Sequence, residues 1–229
     1  MSVPVELPRH FDQELGNLKQ DLLRMAALAE TAVGKSLLSV TNRDSDLARE
    51  VITDDISLNR MELAIEEQAF KLLALRQPVA TDLRLTVAAM RIATELERIG
   101  DQAVNIAERA LELNSSPALE VPINIRVMAE MALEMVRTSI DAFVNQDPKL
   151  AIQVCQRDVE VDILDDEYDQ KILGYMIEES RWVTRLHHFV IIVRNLERIA
   201  DLATNIAEDI VFIVEGRVIK HRCEDWMMA

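Results

Sequence analysis

Along this chain, apolar residues return every three or four positions over six long stretches, and prolines or Asx-rich turns stand between them. The periodicity predicts helices near 9–42, 45–76 and 79–113, then near 122–145, 148–179 and 182–215. Pro4 and Pro8 precede the first, Pro78 divides the second from the third, Pro117 and Pro122 bracket a linker, and Pro148 opens the fifth. Proline is accepted in a helix's first turn and excluded from its interior, so all six mark joints. The turns around Asp44 and Asp147 each end one helix and cap the next with a side-chain oxygen. Connections this short force neighbouring helices antiparallel, and helices of ~30 residues run about 45 Å.

A repeat organises the six. Glu97-Arg98-Ile99-Gly100-Asp101-Gln102-Ala103-Val104-Asn105-Ile106-Ala107-Glu108 returns as Glu197-Arg198-Ile199-Ala200-Asp201-Leu202-Ala203-Thr204-Asn205-Ile206-Ala207-Glu208, and nine of the twelve positions are identical, including every acid. The Asp44 and Asp147 turns lie 103 residues apart and the motif copies 100 apart, so a three-residue deletion late in the second half reconciles them. The expected fold is all-α: two tandem, similar three-helix antiparallel bundles, spanning 1–116 and 117–229, the second ending in a short tail from Arg217.

Packing alone would keep apolar type and let the surface drift, yet here carboxylates have kept identity and spacing. On a helical wheel with Glu97 at zero, Asp101 falls near about 40°, Asn105 near about 80° and Glu108 near about 20°. Ile99, Ala103, Ile106 and Ala107 fall on the opposite side. The expectation is an outward acidic stripe, repeated by Glu197, Asp201, Asn205 and Glu208. The middle helices carry their own stripes at spacing 0, 4, 7, 11: Asp55, Asn59, Glu62 and Glu66, then Asp158, Asp162, Asp165 and Asp169. Like charges at i, i+4 cost roughly 0.2–0.5 kcal/mol each, and a merely solvated face would interleave Lys. Keeping that repulsion in four places points to a compensating cation.

Composition sharpens the chemistry. Of the 229 residues, 40 are acidic and 25 basic, for a net charge of −15, which disfavours nucleic acid as a partner. All-oxygen donors suit hard cations such as Mg²⁺, Mn²⁺ or Ca²⁺, or a carboxylate-bridged iron cluster. No His follows a Glu by three positions, so a ferritin-type Glu-x-x-His motif is absent. Adjacent His187 and His188 point about 100° apart on a helix and cannot clamp one ion together. Cys155 and Cys223 show no CxxC spacing and read as isolated free thiols. Met1 to His10 has no apolar signal region, and no 18-residue stretch is free of charge, so neither a secretory signal nor a membrane span is expected. A reducing cytoplasm fits. No Ser–His–acid grouping and no Gly-rich phosphate loop is legible, which leaves little support for an enzyme. A carboxylate-metal phosphohydrolase and a metal-storage protein stay open as rivals.

Gln77-Pro78-Val79-Ala80-Thr81-Asp82-Leu83-Arg84-Leu85, the Asp44-Ser45-Asp46-Leu47-Ala48 turn and the duplicated Glu97 and Glu197 motifs together resemble the PhoU family over nearly the whole chain. The resemblance implies two three-helix bundles, a cytoplasmic location peripheral to the membrane, and a homodimer. It implies one surface metal cluster per bundle, with Mg, Mn, Fe or Zn left open. Glu97 and Asp101 match the third-helix motif of the first cluster, Glu197 and Asp201 that of the second, and Asp158 and Asp162 the middle-helix motif. Asp55 and Asn59 stand at the equivalent place, where the pattern prefers a carboxylate to the Asn59 amide, so the first cluster is expected to bind more weakly or hold fewer ions. The implied activity is non-catalytic: negative regulation of the phosphate-starvation response, linking the ATPase subunit of the phosphate ABC transporter to a sensor histidine kinase.

Overall fold

In the computed structural model, which describes residues 7–121 and 123–216, six helices follow one another: α1 (Leu7–Thr41), α2 (Ser45–Arg76), α3 (Ala80–Asn114), α4 (Ile125–Asn145), α5 (Pro148–Glu178) and α6 (Val183–Glu215). A single 3-10 turn at Ser180–Trp182 joins the last two. The tail from Arg217, with Cys223, lies outside the described residues. Among those described, no helix is long and apolar enough to cross a membrane.

The two corresponding turns are built alike. Arg43 and Gln146 take left-handed backbone, with φ of 57° and 51°. The amides of Asp44 and Asp147 then reach back to Ser39 O and Ala142 O, both at 3.0 Å, which closes the ends of α1 and α4. Each Asp next caps the following helix: Asp44 Oδ1 accepts from the Asp46 and Leu47 amides at 3.0 Å, and Asp147 Oδ1 from the Lys149 amide at 2.8 Å. Helix polarity therefore reverses sharply at the same place in each half.

Helices α1, α2 and α3 pack as one bundle and α4, α5 and α6 as a second, with α3 lying against α6 and α1 touching α4 between them. The two central helices are rich in small buried residues: Ala88, Ala89, Ala93, Ala103 and Ala107 on α3 and Ala200, Ala203 and Ala207 on α6 are wholly buried. Small side chains let helix axes approach, and the larger Ile92, Leu96, Ile99, Ile199 and Ile206 fill the flanking volume. Polar contacts then fix an antiparallel crossing. Arg84 Nε donates to Ile213 O at 3.0 Å, Arg91 pairs with Asp209 at 3.0 Å, and Asn205 Nδ2 donates to Glu95 Oε2 at 3.4 Å.

Two expectations are corrected. Helix α4 starts at Ile125 rather than near 122, because the Tyr168 hydroxyl donates to the Asn124 carbonyl at 2.9 Å and holds that residue at the helix's threshold. Cys155 is not an isolated free thiol: it is buried and disulfide-bonded, and no described cysteine is free.

Candidate metal centres: two acidic faces

Each bundle turns the edge between its second and third helices into an acidic face. On the first, α2 supplies half-buried Asp55, Asn59 and Glu62, and α3 supplies half-buried Glu97 and exposed Asp101. Core residues set this orientation: Leu58 and Ile65 on α2 and Leu96, Ile99 and Ala103 on α3 point inward, so residues on the neighbouring flank of each helix must face one another at the rim. The Asn59 amide donates from Nδ2 to Asp55 Oδ2 at 3.0 Å, and Thr94 donates its hydroxyl to Glu62 Oε1 at 2.9 Å. Glu97 is raised above the usual carboxylate range by partial desolvation, then by Asp101, Glu62 and Asp55. Asp101 is raised in the same way, by desolvation and then by Asp55 and Glu62. The two helices therefore project their carboxylates into a single field.

The second face is denser in charge. Helix α5 supplies Asp158, Asp162 and Asp165, and α6 supplies Glu197 and Asp201. Burial, then Asp162 and Asp201, pushes Asp158 up to about 7, although a hydrogen bond from Thr204 opposes the rise. Burial, followed by Asp201, Asp165 and Asp162, pushes Glu197 up to about 7 as well. Asp162 and Asp165 are raised too, each by desolvation first and by neighbouring carboxylates next. Arg198 offsets part of this charge through an ion pair to Asp201 at 2.8 Å.

All eight residues singled out in the sequence thus fall on these two faces: Asp55, Asn59, Glu97 and Asp101 on one, Asp158, Asp162, Glu197 and Asp201 on the other. Glu62 and Asp165 join them. Their i+7 position in each middle-helix stripe was the signal that could have promoted them from stripe members to site residues. The outer ends of the third-helix stripes behave differently. Asn105 and Glu108 stay exposed, whereas Asn205 bonds Glu95 across the bundle contact and Glu208 is buried. The expectation that the α6 stripe repeats the α3 geometry along its whole length is therefore corrected: Asn205 meets α3 and Glu208 is buried.

The donor chemistry fits a hard cation. Asp55 Oδ1, Asn59 Oδ1, Asp165 Oδ1 and Asp169 Oδ1 are buried oxygens without a hydrogen-bond partner, and such orphaned acceptors are costly unless something positive meets them. Among the described residues, no three His, Cys, Asp or Glu side chains are already gathered into an ion cage. Uncompensated carboxylates repel, so rotamers that spread them are the favourable ones for the bare protein.

Fold and faces together define an all-α protein of two tandem three-helix bundles, each with an acidic rim between its second and third helices. The PhoU domain model matches the chain twice, over residues 22–110 and 125–210, and the chain belongs to the PhoU family. It is 38% identical to a phosphate-specific transport system accessory protein PhoU homolog of Zymomonas mobilis, over 93% of this chain and 90% of that one. A protein of the same name in Aquifex aeolicus is 37% identical, over 92% of this chain and 95% of the other. Among solved structures, PhoU from Pseudomonas aeruginosa superposes with a TM-score of 0.86 at 36% identity, covering 90% of this chain and 100% of that one. The phosphate transport system regulatory protein PhoU from Streptococcus pneumoniae also reaches 0.86, at 29% identity, over 92% and 99% of the two chains.

Proposed function

We propose that this protein is a non-catalytic negative regulator of phosphate uptake and of the phosphate-starvation response. It works at the cytoplasmic side of the membrane as a homodimeric adaptor between the ATPase subunit of the phosphate ABC transporter and a phosphate-sensing histidine kinase. The observation that carries this reading is the family match in both halves, together with relatives named for phosphate transport over nine-tenths of the chain.

In this reading Asp55, Asn59, Glu97 and Asp101 hold one hard metal cluster, and Asp158, Asp162, Glu197 and Asp201 hold the other. Bound cations would supply positive charge that turns a repelling acidic rim into a surface able to accept anionic groups of a partner. The chain's own part is positional. Leu58 and Ile65 key α2 into the first bundle, and Val161 and Ile172 key α5 into the second, so that paired rods present oxygens along one rim. The Asn59 amide orients Asp55, and the Thr204 hydroxyl orients Asp158.

The test combines genetics with capture. In a null strain grown in ample phosphate, the starvation response is expected to become constitutive and to be repressed again by the wild-type gene. Purified protein is expected to retain the transporter's ATPase subunit on a column, and the Asp101→Ala, Asp201→Ala double variant to retain much less. A null strain that still represses normally would sink the regulatory reading.

A further inference from the structure

Away from both acidic faces, the junction between the bundles forms a half-open cavity of about 280 Å³. It lies between the end of α1, the end of α3, the linker and the start of α6. Leu113, Leu119, Val121 and Phe189 give it an apolar wall, and Arg43 and Arg185 line it as well. Two cationic side chains on one small hydrophobic cavity stand out in a chain whose net charge is −15. Many other arginines of this protein lie against carboxylates, as Arg91 does on Asp209 and Arg137 on Glu30, although Arg84 donates to the Ile213 carbonyl. Arg43 and Arg185 instead lean on main-chain carbonyls. Arg43 donates from Nη2 to Leu113 O at 3.1 Å, to Asn114 O at 3.2 Å and to Ser116 O. Arg185 donates from Nη1 to Pro117 O at 2.9 Å.

The carbonyls of Ser116 and Pro117 belong to consecutive residues, whose Cα atoms are about 3.8 Å apart. Both guanidinium groups are thereby tied to the linker that forms part of the cavity's lining. Each group uses one terminal nitrogen for these carbonyls, and among the described residues its other N–H donors meet no hydrogen-bond partner. A carbonyl dipole orients a guanidinium without cancelling its charge. An anion that reached this spot would meet two guanidinium groups already tethered, with part of their rotamer entropy already spent.

We propose that this cavity binds a small organic anion. Its phosphate or carboxylate head meets Arg43 and Arg185, and its short apolar body lies against Leu113, Leu119 and Phe189. Each part of that description excludes something. Inorganic phosphate would leave the apolar wall uncovered, and a neutral apolar guest would make no use of the guanidinium groups of exposed Arg43 and half-buried Arg185. The volume sits at the small end of ligand cavities, which run roughly 300–1,000 Å³, so a dinucleotide is too large. Such a guest would touch both bundles and the linker at once, and would stiffen the junction through which they meet.

Calorimetric titration of the full chain with hexyl phosphate, hexanoate, orthophosphate and hexanol tests this. One of the two amphipathic anions is expected to bind with a Kd on the order of 0.1 mM. The one that binds more tightly identifies the head group. Orthophosphate and hexanol are each expected to bind at least about tenfold more weakly. Arg185→Gln, which gives up one linker hydrogen bond, is expected to weaken the anion about tenfold or more. Ala118→Trp fills the cavity from an exposed linker position, leaves both arginines in place, and is expected to abolish binding with no loss of helicity. The proposal is overturned if neither amphipathic anion binds wild type at ~10 mM. Orthophosphate binding as tightly as hexyl phosphate also overturns it, as does affinity that survives both substitutions.

Discussion

The two acidic faces share a scaffold and differ in how they manage repulsion. On the first, the Asn59 amide replaces a charge and donates to Asp55, Thr94 donates to Glu62, and the face opens toward solvent at Asp101. On the second, Asp162 and Asp165 stand where Asn59 and Glu62 would be, and both Asp158 and Glu197 are driven up to about 7. Duplication preserved the positions while one copy relieved its charge internally. The other copy left its charge to be met from outside. Cation demand is therefore expected to be greater on the second face.

The largest effect should come from moving charge between the faces. Asp201→Ala is expected to weaken Mn²⁺ binding at the second face by about 10–100-fold, and Asp101→Ala to do less at the first. Conversely, Asn59→Asp should tighten the first face by about tenfold. Titration calorimetry with elemental analysis reads both changes, and an Asn59→Asp protein with unchanged affinity and stoichiometry would erase the contrast.

Next comes pH. In metal-free protein the folded state holds protons on Asp158 and Glu197 that the unfolded chain releases, since both groups are raised from the ordinary carboxylate range to about 7. That contribution is fully present below the ordinary carboxylate range and is lost as pH rises through about 7. Thermal stability should thus fall between pH 5 and pH 8, by on the order of 1 kcal/mol after discounting for solvent screening. Asp158→Asn should flatten the curve, whereas Asn59→Asp should steepen it by adding a carboxylate to the first face. A metal-free protein whose melting temperature rises over that range contradicts the electrostatic account.

Packing beneath the two faces differs too. A Cβ on Gly100 would come 2.5 Å from Leu58 Cδ1 and 3.4 Å from Asp55 Oδ1, whereas the second copy has a buried Ala200 at this position. The Leu58 side chain therefore occupies the space that an alanine methyl would need. Gly100→Ala is expected to cost about 1–3 kcal/mol through overpacking and to shift Asp55, while Ala200→Gly costs about 1 kcal/mol through backbone entropy. Denaturant unfolding of both variants checks the order. The smallest effect concerns the paired turns: Gln146→Gly relieves a left-handed backbone and should stabilise the second bundle by up to about 1 kcal/mol.

Much of the architecture was legible before any coordinates. Apolar periodicity located all six helices, and the Asp44 and Asp147 caps marked two of the reversals to the residue, because capping is a local hydrogen bond that sequence spacing specifies. The start of α4 was misplaced since Asn124 is held by Tyr168, 44 residues away in the chain. The 3-10 turn at Ser180–Trp182 carries no comparable signal. At the faces, spacing alone aligned Asp55 with Asp158 and Glu97 with Glu197. The i+7 spacing put Glu62 and Asp165 on their stripes, but their partners came from packing: Glu62 joins the first face beside Glu97, and Asp165 joins the second beside Glu197.

From its sequence alone, then, this protein's periodicities followed: how many rods, where they turn, which flank is oily, which is acidic, and that the whole was copied once. Those properties depend on neighbours within a few residues, where helix geometry converts spacing directly into direction. Only tertiary packing decided what each flank meets. The buried Glu208 and exposed Glu108 occupy identical motif positions, yet one is covered by the rest of the molecule and the other faces water. The same packing brought Arg43 and Arg185 to one cavity, across 142 positions of chain. A helical wheel assigns a bearing, and the burial of a charge depends on which other helix lies along it.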